Sequence, residues 1–202
     1  MQLAHRWSDR NLSRTELVIA ILILALLIGN FSRYMVVLFA RAEQSIMTRT
    51  VININTALNY RAAMAVMRRQ YDELQFLIKM NPMQDMQSSP EISDFENGEN
   101  KISLEFFGSI ISLPENYAGL IDADNAQAME KGKWYFQRDD HILVYRLSNS
   151  EFFSSDLEGP ARIRFRTKLY YKDNNANGRF DQMIDEYHTV KLQTLDQYTW
   201  AN

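Results

Sequence analysis

Residues 17–29 read LVIAILILALLIG, with no polar side chain among them, and the apolar character resumes at 34–40 (YMVVLFA) after Asn30, Ser32 and Arg33. Such a run is a membrane signal. The first stretch alone reaches only about 20 Å as a helix, short of a hydrocarbon core about 30 Å thick. Residues 17–40 together reach about 36 Å, provided that Arg33 snorkels or meets a partner. A single span over residues 15–41 is therefore expected, preceded by a basic tail, 1–14, with Arg6, Arg10 and Arg14 against one acid. The competing reading is a secretory signal cleaved after the small-x-small sequence Ala40-Arg41-Ala42. Positive charge does not orient the span, because Arg6, Arg10 and Arg14 on one side face Arg33, Arg41 and Arg49 on the other.

Composition narrows the function classes. A hydrophobic share of 46% and a charged share of 23% exclude a disordered chain and a polytopic membrane protein. A net charge of −3 offers no field for a phosphate backbone, so nucleic acid is not an expected partner. With no Cys in 202 residues there is no disulfide framework, no thiol nucleophile and no thiolate-ligated zinc. Catalytic signatures are missing too: His5, His141 and His188 are isolated, and there is no HExxH, Walker loop, GxSxG or GxGxxG. Asp139-Asp140-His141 falls where a hairpin tip is expected and reads as a solvated turn. Neither an enzyme nor a small-molecule substrate is expected.

Glu16 stands at the mouth of the apolar run. A carboxylate there costs about 2–3 kcal/mol if it sits deep in lipid and less near the interface. It reads either as an interfacial acid in a first helical turn, with Ser13 or Thr15 as a cap, or as a charge that pairs with a neighbouring subunit. The sequence Leu12-Ser-Arg-Thr-Glu16-Leu-Val-Ile-Ala-Ile, behind its basic leader, resembles the start of a type IV pilin or pseudopilin. In that family a glutamate opens a long apolar helix, and the residue four before it becomes the mature N-terminus. Leu12 holds that place here, and Asn11 stands where the family normally has Gly. Arg33 falls where many pilins have a helix-kinking Pro. The resemblance is nearest to components of the mannose-sensitive haemagglutinin (MSHA) pilus operon.

Downstream, 15–80 contains no Pro and only Gly29, so the helix is expected to continue beyond the membrane through 42–80. Val51, Ile54, Leu58, Ala62, Ala65, Tyr71, Leu74 and Ile78 recur at steps near three and four with charges between them, which makes one apolar stripe. Asn81-Pro82 is its expected stop, and polar residues 81–100 read as a connecting loop. In the head, 81–202, Asp124-Asn-Ala-Gln127 reads as a capping box for a short helix closed by Lys131 and Gly132. Residues 133–137 and 142–147 read as an aromatic-rich hairpin. Residues 162–171 alternate with period two and put Ile163, Phe165 and Leu169 or its neighbours on one face, with 187–195 returning alongside. The expected class is α+β, a long N-terminal helix on an antiparallel sheet of four or more strands. That layout is again the one seen in pilins.

Between the last two strands, Lys172-Asp-Asn-Asn-Ala-Asn-Gly-Arg-Phe-Asp181 has ligand-like spacing. Asp173, Asn175 and Asn177 take positions one, three and five, Gly178 six, the Arg179 carbonyl seven and Asp181 nine. Such a loop can wrap oxygens around Ca²⁺. Ile184 occupies position twelve, where a bidentate Glu is expected, and Asp185 follows it. Without an ion, the same residues make a tight turn, Asn177-Gly178, between two strands.

The resemblance implies a subunit or accessory of a type IV pilus, anchored in the bacterial inner membrane with a periplasmic head. It implies processing between Asn11 and Leu12, a role for Glu16 in subunit assembly, and partners among other pilin-like subunits and pilus assembly proteins. Two readings remain beside it: a bitopic anchor carrying a periplasmic sensing or scaffolding domain, and a secreted soluble binding domain released after Ala42.

Overall fold

A computed structural model describes residues 14–83, 113–122 and 125–200. One α-helix, α1, runs unbroken over Arg14–Met67, 54 residues and about 80 Å at 1.5 Å per residue. A short helix, α2, follows at Asp72–Leu77. The strands are β1 Tyr117–Ile121, β2 Lys133–Gln137, β3 Ile142–Arg146, β4 Phe153–Ser155, β5 Arg162–Lys172, β6 Glu186–Thr194 and β7 Tyr198–Trp200. The main sheet has the order β1-β2-β3-β5-β6, while β4 and β7 pair separately. The fold is α+β, as expected.

The expected apolar stripe is the buried one. Ile54, Leu58, Ala62, Ala65 and Leu74 are buried, and Val51, Tyr71 and Ile78 pack around them. They meet one face of the sheet, supplied by Trp134 and Phe136, Leu143 and Tyr145, Ile163, Phe165 and Leu169, and Val190 and Leu192. Alternate residues point the other way: Tyr135, Ile142 and Val144 form a smaller cluster with Met129 and Ile121. Trp134 lies at the centre of the main cluster, its ring centroid 4.7 Å from that of Tyr145 and 5.8 Å from that of Phe165.

Several expectations need correction. The helix does not reach residue 80: it ends at Met67, and Arg69 takes a left-handed backbone, φ 58°. The Gln70 N–H donates to the Ala65 carbonyl at 2.8 Å and the Arg69 N–H to the Val66 carbonyl at 3.1 Å. That pair of bonds is a Schellman end, with Arg where Gly is usual. It folds α2 back so that Leu74 and Leu77 are buried. The connection after it begins inside the core, for Met80, Asn81 and Met83 are buried, and the Asn81 side-chain amide donates to the Tyr117 hydroxyl at 2.7 Å. The sheet is not wholly antiparallel, because β1 runs parallel to β2. The short helix expected from Asp124 is only a turn at 126–128; Asp124 itself lies outside the described residues, as do 84–112.

Candidate functional site

The functional features lie along α1, and its two halves have opposite surroundings. From Leu17 to Tyr34 the large apolar side chains stand in the open, as do Leu38 and Phe39, while Met35, Val36 and Val37 are half-buried; Leu22 is 59% exposed and Leu26 68%. None of the most apolar 18-residue window is buried, and this is one helix long and apolar enough to cross a membrane. Glu16 sits exposed in its first turn. Asn11 and Leu12 lie outside the described residues.

The other half is fixed to the head by three polar side chains. Glu43, 8% exposed, lies where the helix enters the head. Its Oε1 accepts the Tyr145 hydroxyl at 2.9 Å and the Ser148 N–H at 2.6 Å. Its Oε2 accepts the Asn149 N–H at 2.8 Å and the Asn149 side-chain amide at 2.9 Å. Four donors converging on one carboxylate form the arrangement that compensates its burial. Burial, the Glu43 charge and the hydrogen bond to it together push the Tyr145 phenol well above its ordinary 10.0. Gly132 holds the other side of this loop: with φ +74° it carries no Cβ, and one placed there would meet Ser148 Oγ at 2.6 Å.

Further along, Asn55 and Asn59 cover the open edge of β6. The Asn55 Oδ1 accepts the Leu192 N–H at 2.7 Å. The Asn59 Oδ1 accepts the Val190 N–H at 3.2 Å and the Thr189 hydroxyl at 2.5 Å. Four helical residues advance about 6 Å and two strand residues about 6.8 Å, so an i, i+4 pair matches alternate N–H groups of an antiparallel edge. An edge so capped is closed to further strand pairing.

The acidic loop lies at the far end of the head, joining β5 to β6, with Phe180 packed against Tyr71 and Tyr171. Its polar groups bond to one another. The Asp173 carboxylate accepts the N–H groups of Asn177 and Gly178 at 3.3 and 2.8 Å. Asp181 Oδ2 accepts the side-chain amides of Asn175 and Asn177, each at 2.6 Å. Asn177 Oδ1 accepts the Arg179 N–H at 2.7 Å. Asp185 faces inward, accepting the N–H groups of Asn174 and Asp181 at 2.9 and 2.7 Å. Among the described residues no group of three or more His, Cys, Asp or Glu converges as a metal cage. Partial burial first, then the charges of Asp173, Asp185 and Asp181, raise the Tyr171 phenol. Asp139 and Asp140 lie on the exposed turn between β2 and β3, and His141 closes it with φ 54°.

The structure thus leaves Glu16 and the acidic loop at opposite ends of the molecule. Glu43, with four hydrogen bonds into the head, is a site that the stripe read from Val51 onward omits. Its phase was the available signal: 43, 47, 51, 54 and 58 recur at steps of three and four, so an acid shares the face of Met47, Ile54 and Leu58. Comparison of the chain with family models, with curated proteins and with solved structures returns no match.

Proposed function

We propose that this chain is a non-enzymatic, pilin-like subunit or assembly accessory of a type IV pilus of the MSHA type. It is held in the bacterial inner membrane by residues 15–41 and carries its head in the periplasm. The observation that supports this reading is the division of α1, one continuous rod whose first half is apolar and open and whose second half is bonded into the head. The open half stores the subunit in lipid and exchanges lipid for sister helices and pilus assembly proteins. The sheet and the distal loop supply lateral and tip contacts, and Glu16 sets register through a partner charge. On its spacing, the 173–185 loop is proposed to take Ca²⁺ at millimolar concentration, which would stiffen the distal surface.

Cleavage after Ala42 fits less well, because it would detach buried Ala40 and place a new charged amine on Glu43, within the bonded cluster. Mass spectrometry of the native N-terminus tests the reading, alongside piliation of a Glu16→Ala strain. A chain starting at Leu12 and lost piliation with a folded head are expected. An intact start with normal piliation would favour the bitopic anchor, and a freely soluble chain starting at Glu43 would favour secretion.

A further inference from the structure

The polar cover of the β6 edge stops one place short. Val190 and Leu192 give their outward N–H groups to Asn59 and Asn55. The Leu195 N–H turns the other way, to the Arg164 carbonyl at 3.0 Å, so Thr194 is the next residue of β6 whose backbone faces outward. Four residues back from Asn55 the helix carries Val51, which has no acceptor to offer. Among the described residues nothing takes the Thr194 N–H. A groove of about 360 Å³ opens at this place between α1 and β6, with Met47, Val51, Phe165 and Leu192 in its apolar lining and Lys191 and Thr194 among its polar residues. That is the size of a small ligand cleft.

The charge beside the groove is one-sided. Lys168 and Lys191 are exposed register partners on neighbouring strands, and their ammonium groups lie 5.4 and 4.7 Å from the centroid of the Tyr170 ring, which also lines the groove. Like charges directly opposite one another weaken strand pairing, and among the described residues no carboxylate neutralises either. We propose that the groove takes the C-terminus of a partner polypeptide, ending in an apolar residue with a free carboxylate. Each feature meets one part of such a ligand. The peptide backbone continues the sheet at the open Thr194 N–H, the last side chain enters among Met47, Val51 and Leu192, and the carboxylate meets the Lys191 ammonium, with Lys168 adding to its field. A longer extended segment would run into Asn55, which already holds the Leu192 N–H, so a chain end fits where an internal strand does not. The site goes beyond the pilus reading and holds equally for a membrane anchor, since it lies in the half of α1 that is bonded to the head.

The test uses the full chain in phosphatidylcholine nanodiscs and the tripeptide Gly-Val-Leu with a dye on its N-terminus, followed by fluorescence anisotropy. The free acid should bind with a Kd of about 0.1–1 mM. Its C-terminal amide should bind about tenfold more weakly, the effect of one charge-assisted bond lost. Lys191→Glu, at an exposed position, should weaken the acid about tenfold and leave the amide unchanged. Val51→Asn extends the asparagine series of α1 by one step and offers an acceptor to the Thr194 N–H; it should abolish binding while thermal unfolding shows the head intact. No binding of the acid at about 5 mM, equal binding of acid and amide, or unchanged binding in Lys191→Glu would overturn the proposal. Hexanoate displacing the labelled peptide as completely as the unlabelled acid does would assign the groove to acyl carboxylates and overturn it as well.

Discussion

Glu43→Ala removes one carboxylate and leaves the Ser148 and Asn149 N–H groups, the Asn149 amide and the Tyr145 hydroxyl without their acceptor. A hydrogen bond to a charged group contributes about 1.5–3 kcal/mol, and an unsatisfied buried donor costs about 1–3 kcal/mol. Against four such losses stands the relief of no longer desolvating a carboxylate. The net expectation is a loss of about 3–4 kcal/mol, or a fall in Tm of about 6–16 °C for a domain of this size. Glu43→Gln keeps one acceptor oxygen but turns an NH₂ toward donors, and should lose about 2 kcal/mol. Tyr145→Phe removes a single donor and should lose about 1–2 kcal/mol. The assay is thermal unfolding of the full chain in detergent, followed by near-ultraviolet circular dichroism, with amide exchange at Ser148 and Asn149 as the local readout. The Glu43→Ala/Tyr145→Phe double variant should lose less than the two singles combined, by about 1 kcal/mol, because the groups share one bond. A loss within about 0.5 kcal/mol for Glu43→Ala, the value expected of a solvated surface acid, would refute the idea that this residue fixes the helix to the head. So would full additivity in the double variant.

Alkaline pH should act through Tyr145 of this cluster and through two further, partly buried phenols. The phenols of Tyr145, Tyr187 and Tyr198 are all raised by burial from an ordinary 10.0, so the unfolded chain releases protons that the folded one retains. The stability they contribute is complete below pH 10 and is lost progressively above it. Denaturant midpoints from pH 8 to 12 should fall more gently in Tyr145→Phe than in the parent; an unchanged slope would exclude this tyrosine as a source. Calcium at 10 mM, for a site of about 1 mM affinity, should add about 1.4 kcal/mol to the head, and Asp173→Ala should abolish the gain. No thermal shift in the parent chain at that concentration would leave the 173–185 loop a plain turn.

What the sequence disclosed follows the range of the interactions involved. The stripe from Ile54 to Leu74 and the β2–β3 hairpin were legible because helical phase and strand alternation are local patterns. The alternation at Ile163, Phe165 and Leu169 was legible for the same reason. Glu43 was not, since an acid is read as exposed unless its partners are known, and these lie at Tyr145, Ser148 and Asn149, over a hundred residues on. The break at Arg69 was hidden because a Schellman end usually announces itself with Gly. The parallel β1–β2 pairing depends on a connection rather than a pattern, and Tyr117–Ile121 is too short, with Gly119 in its middle, to stand out. For Glu16 the residue type, its place in the first turn of α1 and its apolar neighbours were legible.

The placement of polar groups on α1 gives the division of the helix its meaning. No residue from 14 to 39 is fully buried within the chain, and from Ala40 onward the same rod buries Ala40, Glu43, Met47, Ile54, Leu58, Ala62 and Ala65. Under the proposed function, a subunit that must leave lipid without unfolding needs a head whose stability does not draw on the lipid-facing half. It also needs a rigid joint where the two halves meet, because a hinge there would let the head swing independently of the helix that sets its place in an assembly. Glu43 lies at that boundary, three residues beyond Ala40, and its contacts are hydrogen bonds of fixed direction rather than apolar ones that tolerate sliding. Asn55 and Asn59 repeat the restraint farther along against β6, so the rod is fixed in both rotation and axial register. Any displacement imposed on the apolar half is thereby transmitted to the head as a rigid-body shift.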